Sequence, residues 1–375
     1  MAEKVVGKKY SRRDFLRSST VAAAGAALVR PTNHIPRLFG KTGIPTKVAR
    51  SVPGANAPSN KITIGCIGVG RMGLGDMREI LGFEQVQVVA VCDVYSKRLK
   101  SAQQIVERHY GMQSRNGTYK GCAMYKDFRA LLAREDIDAV LICTPDHWHA
   151  LPAIAAAKAG KDIFLEKPLT LTIEEGRVLS DTVRRYGRVF QVGSQQRSDH
   201  RFRFACELVR NGRIGRLHTV KVGLPTDPGT GLQAPMPIPD GLDYQMWLGP
   251  TPWADYTENR VQPKDGYGRP GWLRISDYCC GMITGWGSHH NDIAQWGMGT
   301  EFSGPVEIEG WAEYPKDGLW DVHGQFRIEY AYANGVKLIC APNTSNKQGV
   351  VFEGTEGWVY VKRRLIDAHP IEMNK

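Results

Sequence analysis

The order of apolar and helical segments between Lys61 and Val192 restricts the fold of this 375-residue chain more than any other feature. Short, continuously apolar runs alternate there with segments of helical periodicity. Such runs are typical of strands buried on both faces, and intervening helices are typical of a parallel sheet covered on both sides. The predicted strands are Lys61–Ile67, Val86–Cys92, Ala139–Cys143, Asp162–Leu165 and Arg188–Val192. The predicted helices are Arg71–Leu81, Lys97–Tyr110, Phe128–Arg134, Ala150–Ala159 and Ile173–Tyr186. The pattern predicts an α/β, Rossmann-type, doubly wound sheet.

The composition changes after about Gly193. Pro225–Gly271 is rich in Pro, Gly, Asp and aromatic residues and indicates a long ordered excursion, whose tryptophans could line a carbohydrate site or simply pack the loop. Alternating runs then predict a mostly antiparallel, open-faced sheet in an α+β domain: Val306–Tyr314, His323–Tyr332, Val336–Ala341 and Val350–Val361. We therefore divide the chain into a signal and linker (1–58), a nucleotide-binding domain (59–192) and a substrate-binding and oligomerisation domain (193–375).

The amino terminus carries most of the excess positive charge. Of the 49 Lys/Arg and 38 Asp/Glu, eleven and two fall in residues 1–58, which leaves 38 basic and 36 acidic residues for the remainder. A nearly neutral mature chain does not support a nucleic-acid or anionic-membrane partner. Arg12-Arg13 is followed by Phe15-Leu16 and a weakly apolar run, an order that resembles a twin-arginine export signal. The run is about a dozen residues, whereas a membrane span needs ~20.

That resemblance implies export of the folded protein by the Tat machinery to the periplasm or another extracytoplasmic space. The alternative is a basic, disordered amino terminus. The eight cysteines form no disulfide framework of the kind that small secreted proteins use. Three lie in predicted buried strands and two are neighbours, so we expect free thiols and no cysteine-based metal site.

A glycine-rich turn follows the first predicted strand directly, in the order Gly68-Val69-Gly70-Arg71-Met72-Gly73. A G-x-G-x-x-G motif is weak evidence alone, but at a strand-to-helix turn it predicts dinucleotide binding, with the pyrophosphate at the helix amino terminus. Asp93 closes the second strand, 20 residues after Gly73, where its carboxylate would accept hydrogen bonds from the adenosine ribose. It would also repel a 2′-phosphate, which favours NAD, although Arg98 keeps NADP open. Asp93 could instead be a turn former at the strand end.

Four further segments extend the pattern: Cys143–His149, Glu166-Lys167-Pro168, Gly285–Asp292 and Gly354–Gly357. With the glycine turn, and in this order, they resemble the Gfo/Idh/MocA family of nicotinamide-dependent oxidoreductases, which act mostly on sugars and cyclitols. The resemblance runs from about Lys61 to near the end of the chain.

The resemblance places Lys167 at the nicotinamide and substrate and Glu166 beside the nicotinamide ribose. A lysine there could relay the proton of an alcohol being oxidised or polarise a carbonyl being reduced. The alternative is a surface lysine before a proline turn. Thr144, Pro145 and His149 would contact the cofactor, whereas His147 has no match and is expected to be structural.

The resemblance gives His289 the role of general acid/base, and an imidazole suits proton exchange with a sugar hydroxyl. Many members have Asp four residues earlier, where this chain has Gly285, so another carboxylate orients the ring or the chemistry differs. His290 and Asp292, and Gln195 and Arg197 beyond the last Rossmann strand, are candidate substrate contacts; an ordinary polar linker explains the latter pair equally well. Adjacent histidines do not share a helix face, so no metal site is expected.

Export and nucleotide binding together constrain the reaction, because an exported enzyme meets no appreciable pool of NAD. The sequence therefore predicts an NAD(P)-dependent oxidoreductase acting on CH–OH groups of a carbohydrate, with tightly bound, internally recycled NAD(H). The alternatives are a glycosidase working by transient oxidation, elimination and re-reduction, and a non-catalytic sugar- or nucleotide-binding protein. The open sheet of the second domain predicts a homo-oligomer.

Overall fold

A computed structural model describes residues 61–114, 117–226, 229–262 and 271–370, together with the backbone of 3–6 and 10–11. The twin-arginine segment and the linker after it lie outside these residues. Within the described part of the chain, no helix is both long enough and apolar enough to cross a membrane.

The first domain is built on a six-stranded parallel sheet in the order β3-β2-β1-β4-β5-β6. This is the strand order of the dinucleotide-binding fold, whose ligand lies where the order reverses, beside the carboxyl end of β1. The strands are Ile62–Ile67 (β1), Val86–Cys92 (β2), Ala123–Tyr125 (β3), Ala139–Ile142 (β4), Asp162–Glu166 (β5) and Phe190–Gly193 (β6). The doubly wound sheet expected from the apolar runs is confirmed.

Helices cover both faces of this sheet because each strand is apolar on both sides. One core contains Cys66, Met77 and Val88 under the first two helices, and the other contains Val89, Val140 and Ala153 under the next three. The helices are Arg71–Leu81 (α1), Ser96–Gln113 (α2), Phe128–Leu132 (α3), Asp146–Lys158 (α4) and Ile173–Tyr186 (α5). The last begins with a reciprocal capping box between Thr172 and Glu175, which satisfies amide groups at the helix start.

The second domain is dominated by a sheet of seven strands in the order β8-β9-β10-β7-β11-β12-β13. All neighbours are antiparallel except β7 and β10. The strands are Leu217–Leu224 (β7), Glu307–Tyr314 (β8), Phe326–Ala331 (β9), Lys337–Pro342 (β10), Gly349–Gly354 (β11), Trp358–Lys362 (β12) and Leu365–His369 (β13). Two short amino-terminal strands, Glu3–Val6 and Tyr10–Ser11, pair with β8.

One face of the second sheet is covered by two helices, His200–Arg210 (α6) and Gly287–Met298 (α10), whose Phe202 and Ile293 enter its core. The opposite face carries part-exposed charged side chains: Lys221 pairs with Glu353, and Arg327 pairs with Glu329. The predicted open-faced sheet is therefore confirmed. The sequence patterns did not predict α6, β7 or the edge strand β3.

The segment that follows β7 returns to the first domain. The amide of Ser96 donates to Gly241, the amide of Asp243 donates to Val94, and Tyr95 and Leu242 form an isolated bridge. Three short helices follow, Tyr244–Leu248 (α7), Glu258–Val261 (α8) and Gly281–Gly285 (α9). This segment, residues 241–262, is called the return segment below, and it forms one wall of the cavity described next.

Candidate active site

A cavity of about 410 Å³ lies between the carboxyl ends of the Rossmann strands and the second domain. The glycine turn forms one end, the return segment and α9 form a side wall, and α10 and the β12–β13 turn form the other end. The expected site residues that line it are Gly68, Gly70, Arg71, Met72, Asp93, Thr144, Pro145, His149, Glu166, Lys167, Gln195 and His289. Residues from both domains therefore meet in one space.

The glycine turn fits a dinucleotide pyrophosphate. Gly68 has φ +80°, and a Cβ there would lie 2.7 Å from the Cys143 backbone. Gly73 is packed against the turn itself, since a Cβ there would overlap the Gly68 carbonyl oxygen. At Gly70 the nearest atom to a Cβ position is Arg98 Nη1 at 3.5 Å, so the backbone is open on the cavity side. The amide groups at the start of α1 are thus available to a phosphate.

Asp93 is buried beside this turn. Its Oδ2 accepts a hydrogen bond from the Val69 amide at 3.0 Å, and its Oδ1 accepts one from the Tyr95 amide at 2.9 Å. Burial raises the pKa of Asp93, while the nearby Arg98 charge and the two amides oppose that rise. A carboxylate has about four acceptor positions, so the group can hold the turn and still accept a hydrogen bond from a ribose hydroxyl.

Glu166 and Lys167 lie where β5 ends. Glu166 is buried, and desolvation together with the Asp76 charge raises its pKa to about 7. Lys167 Nζ donates to the carbonyl oxygen of Gly285 at 3.2 Å. Its ammonium is thus held by a backbone carbonyl of α9 rather than by a carboxylate.

His149 joins two loops at the cavity wall. Its Nδ1 lies 2.6 Å from the Pro168 carbonyl oxygen and its Nε2 lies 2.8 Å from that of Thr144. Both partners are backbone carbonyl oxygens, which only accept hydrogen bonds. His149 therefore fixes the Thr144 and Pro168 loops, and any contact with a cofactor is additional to that.

His289 lies at the opposite end, near the start of α10. Its Nε2 accepts a hydrogen bond from Arg363 Nη2 at 3.1 Å, because an arginine cannot accept one. The ring proton is therefore on Nδ1, which is buried and has no hydrogen-bond partner in the described part of the chain. Desolvation, with the charges of Lys167 and Arg363, lowers the pKa of His289 to about 2.

Arg363 is a cavity residue that the sequence did not reveal. It occupies the two-residue turn between β12 and β13, where Lys362 pairs with Leu365, and it lies 74 residues from His289. Its guanidinium is 4.7 Å from the centre of the Trp286 ring. Only the tertiary packing of the last hairpin, whose strands lie against β11 and α6, brings its turn to the site, so no local pattern pointed to Arg363.

Three candidate substrate residues are placed away from the cavity lining. Arg197 forms a two-bond ion pair with Asp292, at 2.7 and 2.8 Å, and a further bond to Glu301. His290 is buried and contacts Gln196 at 3.1 Å. The expectation that Arg197, His290 and Asp292 bind substrate therefore needs correction: Arg197 and Asp292 satisfy each other, and His290 faces the protein interior, because adjacent helix positions point in different directions.

The structure also places His147, the tryptophans and the cysteines that the sequence singled out. His147 is buried, its ring lies against Trp247 and Tyr278, and its Nε2 is 3.0 Å from the Trp247 carbonyl oxygen, an arrangement that serves packing. Trp247 and Trp272 line the cavity, whereas Trp253 is exposed. All eight cysteines are free thiols, as expected. The described residues contain no group of three or more His, Cys, Asp or Glu side chains arranged for a metal ion.

Comparison with family models extends over both domains. Residues 62–194 match the NAD-binding Rossmann-fold domain of the Gfo/Idh/MocA oxidoreductases, and residues 228–367 match the C-terminal alpha/beta domain of the same family. The chain belongs to the Gfo/Idh/MocA oxidoreductase family. Residues 9–29 match the signal sequence of the twin-arginine translocation pathway, so this family member is exported from the cytoplasm.

The curated relatives match only part of this chain. An uncharacterised oxidoreductase, YrbE of Bacillus subtilis, is 32% identical over 164 residues, 44% of this chain and 44% of that protein. A glycosyl hydrolase family 109 protein of Shewanella pealeana is 33% identical over 213 residues, 56% of this chain and 44% of that protein. This chain therefore matches less than half the length of either relative.

Solved structures share the fold at low identity. The WlbA dehydrogenase of Bordetella pertussis, in complex with NADH and UDP-GlcNAcA, has a TM-score of 0.61 at 17% identity, with 82% of each chain covered. Myo-inositol 2-dehydrogenase of Lactobacillus plantarum has a TM-score of 0.54 at 19% identity, with 80% of this chain and 76% of that chain covered.

Proposed function

We propose that this exported family member is an oxidoreductase that transfers a hydride to or from a carbohydrate hydroxyl and keeps its NAD(H) bound from one turnover to the next. The observation that supports this best is the meeting of Lys167, Glu166 and His289 in the cavity that begins at the glycine turn. Nucleotide-holding and proton-transferring groups thus share one space, as the family's chemistry requires.

The bound nicotinamide would accept or supply the hydride, and the chain's own residues would handle the proton. Lys167 Nζ is held by the Gly285 carbonyl and has two protons left for other partners. It would donate a hydrogen bond to the reacting oxygen and so polarise a carbonyl that is being reduced; in the oxidation direction it would take up the proton of the alcohol only as the neutral amine. His289 would exchange that proton through Nε2 once Arg363 has another hydrogen-bond partner. The buried Asp93 beside the turn favours NAD over NADP, because a 2′-phosphate there would face a carboxylate.

Nucleotide content tests this proposal directly. Protein purified from its export compartment without added cofactor is denatured, and the released nucleotide is identified by absorbance and mass. We expect about one NAD(H) per chain, with bound NAD reduced by one sugar and reoxidised by a second without added nucleotide. An empty protein that binds NAD weakly would contradict retention.

A redox-neutral glycosidase is a second candidate, and the similarity to glycosyl hydrolase family 109 proteins favours it. It would oxidise a ring carbon, eliminate the aglycone, add water and return the hydride to the same sugar. The discriminating experiment is hydrolysis of a panel of glycosides in D₂O. A proton next to a transient ketone exchanges, so deuterium on the carbon beside the oxidised one indicates this route. Its absence from a hydrolysed product excludes the route.

A further inference from the structure

We propose that the substrate carries an anionic group, a carboxylate or a phosphate ester, and that Arg363 binds it and thereby releases His289. This inference rests on the proposed function, since it names the class of carbohydrate for the same site. It identifies Arg363 as a residue that determines specificity, and it starts from the charge around the far end of the cavity.

Two cations face that end of the cavity and little negative charge balances them. Lys167 donates to a neutral carbonyl, and Arg363 donates to a neutral imidazole. Arg363 forms no ion pair with any carboxylate in the part of the chain that the structure describes. Glu166 and Asp199 act on Arg363 electrostatically without contacting it. The pKa of Glu166, about 7, leaves that group partly protonated near neutrality, and Asp199 is already paired with Arg201. An anionic substrate would supply the missing charge.

The position and the remaining donors of the Arg363 guanidinium favour binding of an anionic group. Its central carbon lies over the Trp286 ring, 4.7 Å from the ring centre, which is within the range of a cation–π contact that limits its positions. One Nη2 proton is directed to His289, so the other donors of the planar fork remain for a ligand. Arginine binds carboxylates and phosphates with two parallel bonds, which gives orientation as well as affinity.

The contact with His289 connects binding to proton transfer. While Arg363 donates to Nε2, the lone pair that would accept a substrate proton is occupied. An oxyanion is a stronger acceptor than a neutral imidazole, so it would draw the guanidinium away and free Nε2. An anionic sugar would therefore gain in both binding and rate, whereas a neutral sugar of the same shape would have to break the contact without compensation.

The test uses NAD-loaded full-length protein and matched ligands in the gluco and galacto series: the hexose, the hexuronate, its neutral hexuronamide and the hexose 6-phosphate. Calorimetry gives affinity, and absorbance of the bound nucleotide gives the rate of hydride transfer. We expect one anionic ligand to bind about ten- to a hundred-fold more tightly than its neutral counterpart, the range of a charge-assisted pair. A hexuronate preference identifies a sugar acid, and a 6-phosphate preference identifies a phosphate ester.

Arg363→Gln should reduce that preference to less than about three-fold, a range below the value of one charge-assisted bond. Arg364→Asn is the matched control: it removes a neighbouring cation, and Asn tolerates the left-handed φ of +69° at this position. Equal binding of charged and neutral ligands by the wild-type protein, or a preference that survives in Arg363→Gln, overturns the inference. Arg363-dependent binding of an anion without hydride transfer supports it while the proposed function fails. No binding of any sugar overturns both.

Discussion

Lys167 Nζ lies 3.2 Å from the carbonyl oxygen of Gly285, one helical turn before His289. Many relatives are expected to have an aspartate at position 285, and here the backbone of the same residue receives the ammonium instead. The carbonyl orients the amine of Lys167, and no carboxylate contacts that amine in the described part of the chain. That arrangement makes Lys167 the residue whose removal should be most damaging.

Lys167→Ala should lower the hydride-transfer rate by about two to four orders of magnitude, the usual contribution of a positioned proton-transfer group, while NAD stays bound. The measurement is single-turnover reduction of bound NAD, with nucleotide content determined on the same sample. Lys158→Ala, at an exposed site near the end of α4, is the control for loss of a lysine. A rate near that of the wild type would remove Lys167 from the chemistry.

Glu166 should make the affinity for NAD⁺ depend on pH. Its pKa of about 7 means that the carboxyl is largely neutral at pH 6 and ionised at pH 8, and only the ionised form attracts a positively charged nicotinamide. The Kd for NAD⁺ should therefore fall as the pH rises through 7, and NAD⁺ binding near pH 7 should release protons. Calorimetry in buffers of different ionisation enthalpy measures both, and Glu166→Gln should abolish the dependence.

The same group affects stability in the nucleotide-free protein. A carboxyl with a raised pKa binds more protons folded than unfolded, so its stabilising contribution is present below its unfolded pKa and is lost as the pH rises through about 7. Thermal melting at pH 5, 6, 7 and 8 should show this loss in the wild type, and a smaller one in Glu166→Gln. Parallel curves for the two proteins would show that the carboxyl ionises in the folded chain without cost.

Asp93 should determine which nucleotide binds. Asp93→Asn removes the charge and should shift the ratio of NAD to NADP affinity by about ten-fold or more towards NADP, since a charge-assisted or repulsive contact of this kind exceeds 1 kcal/mol. Asp93→Gly should weaken NAD more than NADP, but it also removes the acceptor of the Val69 and Tyr95 amides. The measurement is the Kd of each variant for NAD and for NADP. An equal loss of affinity for the two nucleotides would mean that Asp93 only holds the turn.

Two glycines of α1 form a matched pair for the turn. Gly73→Ala places a Cβ against the Gly68 carbonyl and should lower the free energy of unfolding by about 1–3 kcal/mol. The same substitution should weaken NAD binding. Gly75→Ala, in the same helix, meets no atom within 4 Å and should stabilise the protein by ~0.5–1 kcal/mol. Urea unfolding measures both. Similar effects of the two substitutions would show that the close approach at Gly73 is relieved by a small shift.

Gly285→Asp should strengthen His289 as a base. A Cβ at position 285 meets only Met282 Cε at 3.8 Å, so the larger residue has room. A carboxylate one turn before His289 would favour the imidazolium and raise the pKa of His289 from its depressed value, and a better base should increase the rate at neutral pH. The pKa of His289 is measured from its NMR resonances during a pH titration, with Gly285→Ala as the control. An unchanged titration would place the carboxylate out of reach.

Local patterns were sufficient for the Rossmann half because its strands are apolar on both faces and its glycine turn follows the first strand directly. They were also sufficient for Glu166 and Lys167, which the order of motifs located at a strand end. They were not sufficient for Arg363, whose place at the cavity depends on how the last hairpin packs against β11 and α6. They misplaced His290 and Asp292 because the resemblance of a segment does not say which side of its helix faces the cavity. Side-chain direction on α10 required the tertiary structure.

The return segment offers a physical basis for the proposed retention of the nucleotide. Its main-chain bonds to Val94 and Ser96, and the contact of Gln262 with Arg98 at 3.3 Å, place it across the loop that follows Asp93, beside the glycine turn. A dinucleotide in this cavity would leave only as those contacts parted, so its residence time would follow the opening of the protein rather than the strength of any one nucleotide contact. Under the proposed function, the cofactor would be installed once, during folding in the cytoplasm, and would then be exported as part of the molecule.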